Sequence, residues 1–509
     1  MTDLSPGAIP RGALIKANNV TFETGLVTKA PGSLKYNTNA LSAGIVGLWD
    51  WWPDPFTQRL IALTSAGSLY RDIGDKTFSG GTAITTGLLS VTPNAFFVEG
   101  GNETAARNKK LFLFTGTNQV KVLSGDGTSF ATMSQPAADW VTPNYPTFGF
   151  VHRNHLWAFM KQQFYASNTG DHEDFVTSNA ILTGSIFPGE GGDLMGGFVF
   201  KGRAYVFKKG GFVYYLDDTD TNSTNWLWRK LASNFGLASP HGIAELTNDM
   251  VALNESGALI SYAAVNTYSG IDSSDLYKIM MIANYLRANT SFSGLNQTHT
   301  LYYEEKKQLF ITGRKGYRIH NNLLIHIDFN RQQPRPAIWD KDAPDCLALR
   351  KDINLIKRPI YGASDGFVYL MDREDRLVGG SAYTGEFKTP HDDFREMDLS
   401  LASKNKLYDS LAIEFIPMGN WNITIDVYID GKFSETLTVP MTVKDNGLGN
   451  FQLGSNALGR EESQTIYTTL HGAGRRISFH VKGTGSNQNF SLASLTVYFR
   501  LSAEQATLL

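Results

Sequence analysis

Asp218, Asp220 and Asn222 stand at alternate positions, the spacing at which a calcium loop presents its first ligands. Such a loop also needs Gly at its sixth position for the sharp turn and a bidentate Glu at its twelfth. Here those positions are Ser223 and Arg229, so the start of the loop is present and its closing ligand is not. His152 and His155 lie three apart in a strand–turn–strand context. Zinc needs three or four ligands, so the pair reads as packing or solvent-facing histidines. Gly189, Gly191 and Gly192 lack the following Lys-Ser/Thr that completes a phosphate loop, and no H-E-x-x-H pair occurs. Carboxylates are plentiful, but nothing in the order of residues sets two of them at a glycosidase separation. The expectation is a chain with no catalytic residue, no metal and no cofactor.

Two further stretches carry recognisable residue types. Trp49-Asp50-Trp51-Trp52-Pro53 holds three Trp in four positions. It could stack a sugar or a base, or serve as aromatic packing at a blade edge or subunit contact, and the packing reading is the one taken. Ser167-Asn168-Thr169-Gly170-Asp171 with Phe175 resembles the aspartate box of sialidase propellers, a structural turn, but it occurs once and in degenerate form.

These residues must be positioned by strands. In Gly196 to Asp218 the apolar runs Phe198–Phe200, Ala204–Phe207 and Phe212–Leu216 are separated by polar and Gly-rich turns. Short β-branched and aromatic runs cut by such turns are the signature of hairpins. The unit recurs at Leu60–Leu63, Leu111–Phe114, Leu156–Phe159, Met250–Leu253, Leu309–Ile311 and Pro359–Tyr361, each followed by a turn and a second run. That makes about seven units at roughly 45–60 residues, the period of a propeller blade with generous loops. The continuously apolar run reads as the inner strand, buried on both faces. The expected fold is all-β: a propeller of six or seven blades over residues 45–384, preceded by an extended arm at 1–44 and followed by an antiparallel sandwich at 385–509. The boundary between the last two falls between Gly379 and Pro390, where strands lengthen and alternate, and Asp430-Gly431 marks a tight hairpin there. One segment, Ser273 to Leu286, places Leu276, Ile279, Met280, Ala283 and Leu286 at helical spacing and predicts a helix inserted between blades.

Composition bounds the partners. Of 509 residues, 46 are Lys or Arg and 48 are Asp or Glu, for a net charge of −2. That balance gives no global attraction to phosphate. A single cysteine, Cys346, excludes an internal disulfide framework. No apolar run approaches a membrane span, and the polar N-terminus MTDLSPGAIPRG shows no signal peptide.

Several stretches, in order, are similar to the β-propeller tail nozzle proteins of short-tailed bacteriophages, the packaged-DNA stabilisation or head-completion proteins. Lys29-Ala30-Pro31-Gly32 with Tyr36 resembles their basic-x-Pro-Gly element. His155-Leu156-Trp157 through Tyr165-Ala166-Ser167 to Asp171 and Phe175 resembles one blade, and Phe198 to Tyr215 the next. Asn234 to Ser239 leading into Met250–Leu253, the helix at Leu276 to Leu286, and Gly474-Arg475-Arg476-Ile477 complete the match. The resemblance implies a structural virion protein of the tail, made in the host bacterial cytoplasm. It implies a homo-hexameric ring below a portal-adaptor ring. Double-stranded DNA would be retained by it and then pass through its lumen without specific binding, and a fibre, spike or plug protein would dock on it. A neutral to acidic lumen is the expectation, since each phosphate contact slows passage. Trp49, Trp51, Trp52, Trp226 and Trp228 are the candidate subunit-interface residues. The alternatives are a propeller glycosidase and a receptor-binding adhesin acting on host surface polysaccharide.

Overall fold

A computed structural model of the protein describes residues 14–23, 25–101, 109–177, 182–233, 236–261, 295–316, 320–330, 334–442 and 463–502. The chain divides into two compact units. One comprises Leu34–Ile325 and Asp342–Asp372; the other comprises Met1–Ser33, His326–Lys341 and Arg373–Leu509. The predicted helix at Leu276 to Leu286 lies outside the described residues.

The larger unit is a succession of small antiparallel sheets, seven among the described residues. Their first strands are Ile45–Asp54, Phe96–Gly101, Phe148–His152, Leu194–Phe200, Ile243–Glu245, Thr300–Tyr303 and Pro344–Lys351. Each pairs with the strand that follows it, as in Phe198↔Tyr205 and Val206↔Tyr214 of the fourth sheet. The continuously apolar runs found in the sequence are the second strands. Leu156, Trp157, Ala158 and Phe159 are all completely buried, as expected of a strand covered on both faces. They lie between two other strands of their sheets, as expected of inner strands. The innermost strand of each sheet precedes the apolar run and is only partly covered.

Neighbouring sheets pack through these first strands. Ile45–Asp54 touches Phe96–Gly101, which touches Phe148–His152, which touches Leu194–Phe200. Ile243–Glu245 touches Thr300–Tyr303, and that strand touches Pro344–Lys351. A core of Phe200, Tyr205, Phe207, Leu237, Met250 and Ala252 joins the fourth and fifth sheets. The last sheet then packs on the first, Pro344–Lys351 against Ile45–Asp54, so the succession closes on itself in the manner of a propeller.

That closing joint is built from residues far apart in sequence. Tyr36, Leu41, Ile45, Leu48, Leu60, Phe78, Cys346, Ile360 and Val368 form one buried cluster. The segment before the first sheet lies along the last: Tyr36 N donates to Val368 O at 2.7 Å and Leu41 N to Gly366 O at 2.9 Å. The buried Asn37 accepts from Val368 N at 2.7 Å through Oδ1 and donates to Gly366 O at 3.1 Å through Nδ2. The Tyr36 hydroxyl donates to the Asp72 carboxylate of the first sheet. Gly362 leaves room here, since a Cβ on it would lie 2.5 Å from Ile45 Cγ2 and 2.9 Å from Cys346 Sγ.

Most described strands of the second unit fall in two sheets. One runs in the order Arg335–Trp339, Lys16–Asn18, Gly385–Lys388, Ile477–Gly483, Asn422–Ile429, Lys432–Pro440. The other runs Val20–Thr21, Val27–Lys29, Ser491–Leu501, Lys406–Phe415, Gln464–Thr469. Period-two strands such as Asn422–Ile429 bury alternate residues as their pattern requires. Asp430 and Gly431, at φ 47° and 82°, make the predicted two-residue turn, with Ile429 paired to Lys432. Within the extended N-terminal segment, Lys16–Lys29 supplies short strands to both sheets of this unit, and residues 36–41 complete the other unit. The expected boundary at 384 also moves, because 326–341 and 373–384 belong to this second unit.

Asn37→Ala should weaken the ring closure by ~2 kcal/mol, because it leaves the buried Val368 N–H without an acceptor. Urea unfolding would register a lowered midpoint, and an unchanged midpoint would refute the closing role given to this segment.

Candidate functional site

The first strands enclose a cavity of about 530 Å³ on the axis of the larger unit, a volume typical of small-molecule pockets. Its wall is apolar, with Leu48, Phe96, Phe97, Phe198 and Leu349 among the residues lining it. Trp49, Trp52, Asp50 and Lys351 lie toward the C-terminal ends of their strands, together with Glu99 and Glu245. His241 and His299 precede the fifth and sixth first strands and lie at the opposite end.

At that opposite end the loops lock together across the axis. Phe96 stacks on His241 with ring centroids 4.9 Å apart, and His241 stacks on His299 at 4.2 Å. Nε2 of His241 bonds to Ala95 O at 2.9 Å, Nε2 of His299 to Pro93 O at 2.7 Å. Burial favours the neutral form of both imidazoles, pushing His241 down to about 4 and His299 well below its ordinary value, with His241 beside His299 adding to the effect.

At the charged end Asp50 and Glu99 already hold hydrogen-bond donors. Asp50 accepts from Lys351 N (2.9 Å), Gln58 Nε2 (2.7 Å) and Trp52 Nε1 (3.2 Å). Glu99 accepts from Trp49 Nε1 at 2.9 Å. Burial raises both carboxyl groups above their ordinary range, and the donors only partly oppose it. The Lys351 ammonium sits 5.1 Å from the centroid of the Trp52 ring. The lining contains no arginine, and among the described residues no three of His, Cys, Asp and Glu cluster as metal ligands. The site is a largely apolar recess with Asp50 and Glu99 hydrogen-bonded at its rim.

The residues picked out by sequence lie elsewhere or do other work. Asp218 is held by His152 Nε2 (2.7 Å) and Arg153 Nε (2.6 Å). Asp220 accepts from Asn222 N and Asn225 Nδ2, both at 2.8 Å, so the calcium-like spacing forms a self-contained turn. His155 Nδ1 bonds to Ser167 O at 2.5 Å. The stretch from Ser167 is a turn closed by Asn168 N to Asp174 O and Gly170 N to Asn154 O, with Phe175 buried beneath it. Gly362-Ala363-Ser364-Asp365-Gly366 fits G-x-S-x-G by residue type. It spans a hairpin turn between Lys357–Ala363 and Val368–Arg373, not the strand-to-helix elbow that exposes a nucleophile.

Among the interface candidates, Trp51 is fully buried in a core with Ile61, Leu63 and Phe97. A side chain with no exposure in one copy cannot meet another copy, so its assignment is corrected. Trp49 and Trp52 line the cavity. Trp226 and Trp228 pack on Trp157, with centroids 6.4 and 5.7 Å away, as part of the core between the third and fourth sheets. Truncating them would loosen that core as well as strip a surface.

The pattern hid a different apolar surface. The hairpin after the first innermost strand exposes Phe56 (87%), and the loop after the last exposes Ile353 (96%) and Leu355 (64%). Their roots are tied together by Gln58 Nε2 donating to Lys351 O at 2.8 Å. Asp352 Oδ1 accepts from Asn354 N and Ile356 N and so holds Leu355 at φ 63°, a left-handed conformation costly for a leucine. Apolar residues inside a polar turn were the available signal.

Acidification tests the sealed end. The unfolded chain takes up protons on these histidines near 6.5, and His241 in the folded chain only near 4. The unfolded state therefore binds more protons between those values, and stability falls as pH drops through that window. His241→Phe keeps a ring between Phe96 and His299, so it should reduce the loss between pH 7 and about 4 by ~2 kcal/mol. Urea midpoints across that range measure it, and an unaltered pH slope would contradict the assignment.

No family model matches the chain, and no curated protein matches it. Solved structures that it is similar to include the computationally designed Ika8 protein (12% identity, 71% of this chain and 98% of that chain, TM-score 0.38). YCF48 from Cyanidioschyzon merolae matches at 8% identity over 67% and 98% with TM-score 0.37, and a chain of the Mitotic Checkpoint Complex at 11% over 67% and 94% with TM-score 0.39.

Proposed function

We propose that this chain is a structural assembly protein, the tail nozzle of a short-tailed phage, whose copies ring a passage for the genome. On this reading the seven sheets are the blades of one closed propeller and the second unit is a two-sheet sandwich. The observation that carries the proposal is the paired apolar tips: Phe56, Ile353 and Leu355 are large, nearly uncovered and rooted side by side. Exposed apolar surface of that kind marks protein–protein contact. The cavity is consistent with the same direction, since at about 530 Å³ it is far too small for a duplex. The passage would therefore lie between copies, with six around it, and be lined by acidic and neutral polar side chains. The portal-adaptor ring and a fibre, spike or plug would be its neighbours in the virion tail.

The tips also suit an adhesin, which differs in copy number and in lacking a passage. The absence of arginine in the lining, with Asp50 and Glu99 already hydrogen-bonded, tells against a glycosidase.

Replacing Phe56, Ile353 and Leu355 together by Ser should leave the monomer's unfolding midpoint within ~0.5 kcal/mol, as expected for exposed positions. It should abolish six-copy assembly, read by native mass measurement and by incorporation into particles. Normal assembly of the triple variant would remove the tips from the interface. Three copies in the unmodified protein would favour the adhesin.

A further inference from the structure

The cavity between the first strands of the larger unit takes no part in the assembly role proposed above, and its lining is divided by chemistry. At about 530 Å³ it has the size of a small-molecule pocket. Its body is aromatic and aliphatic. Phe96, Phe97, Phe198, Leu301 and Leu349 line it, and the centroid of the Trp49 ring lies 6.3 Å from that of Phe97. Such a wall favours an apolar or aromatic occupant, because burial there removes apolar surface from water.

The ionisable side chains of the lining balance. Asp50, Glu99 and Glu245 share it with Lys109, Lys351 and Lys357, three acids and three lysines. A ligand with a net charge would leave that charge uncompensated in a largely apolar recess, so a neutral one is favoured.

The two carboxylates bonded to tryptophan differ in what they can still accept. Both oxygens of Asp50 are taken, Oδ1 by Gln58 Nε2 at 2.7 Å and Oδ2 by Lys351 N at 2.9 Å and Trp52 Nε1 at 3.2 Å. Glu99 receives Trp49 Nε1 at 2.9 Å on Oε1. Among the described residues no donor reaches its Oε2, and that atom is not closed off from solvent. A hydrogen bond to an ionised acceptor is of the stronger kind. Trp49 holds the carboxylate by its other oxygen, which limits the directions Oε2 can take.

We propose that this cavity binds a small neutral aromatic molecule carrying one N–H or O–H donor, with its ring against the phenylalanine wall and its donor on Glu99 Oε2. The inference does not rest on the assembly reading, and loss of six-copy assembly would leave it standing.

Calorimetric titration of the full chain with indole is the test, with benzofuran, tryptamine and indoleacetate as comparisons. Benzofuran has the shape of indole without its donor, and the other two add a positive and a negative charge. Indole should bind saturably and about tenfold more tightly than benzofuran, the ratio that one hydrogen bond to a charged group supplies. Both charged analogues should bind more weakly than indole. Glu99→Gln keeps an acceptor for Trp49 Nε1 and turns the open oxygen into an amide donor. It should therefore erase the preference for indole while leaving benzofuran bound. Leu349→Trp fills the cavity and should abolish binding of both. Should its melting transition show that it does not fold, Leu301→Trp serves in its place. No saturable binding of indole, equal affinity for indole and benzofuran, or an unchanged preference in Glu99→Gln would overturn the proposal. Binding that survives the filled cavity would overturn the site, and tighter binding of either charged analogue would overturn the neutral ligand class.

Discussion

The larger unit depends on one joint, the contact of its last sheet with its first. The other neighbouring pairs of sheets follow one another directly in sequence. The closing pair is separated by nearly the whole unit, so its contact must be strong enough to offset a long loop closure. The chain meets this with a buried apolar cluster around Ile45, Cys346 and Val368 and with the segment 36–41, which is hydrogen-bonded to the last sheet and anchored to the first through Tyr36 and Asp72. Asn37 is suited to that place because one side chain both accepts and donates, replacing two backbone bonds where the strand ends.

Closure in turn creates the axial chamber and decides its chemistry. Bringing the first strands together removes Asp50 and Glu99 from water, which raises the cost of ionising them. Tryptophan indole N–H groups supply part of the compensation, so Trp49 and Trp52 serve as hydrogen-bond donors as much as apolar bulk. At the other end the answer is different: neutral imidazoles stack with Phe96 and reach across to backbone carbonyls, a seal that works only while they are uncharged. Asp50 and Glu99 at one end and the two histidines at the other are thus tied into the cavity wall by their own hydrogen bonds.

The second unit shows how the same chemistry handles buried cations. Lys406 is satisfied by carbonyls and neighbouring carboxylates, whereas Lys29, in the element Lys29-Ala30-Pro31-Gly32, is not.

The sequence by itself determined the strand content, the repeat and most turns, because these rest on local properties: runs such as Leu156–Phe159 can only be strands covered on both faces, and Asp430-Gly431 adopts its turn from its own backbone preferences. It also determined that the calcium-like and zinc-like spacings lacked their closing ligands. Only the tertiary structure decided which strand of each sheet is innermost, because the axial strands are half-covered and interrupted by glycine, and so carry a weak pattern. Only it decided that Trp51 is core, that Trp49 and Trp52 face a chamber, and that Phe56 and Leu355 are exposed, since an aromatic or aliphatic residue looks the same in a string whether it is covered or not. The fate of the N-terminal segment was likewise illegible, because strands of two or three residues acquire their meaning from partners more than 300 positions away. Pairing over that distance is a property of the folded chain and leaves no local trace.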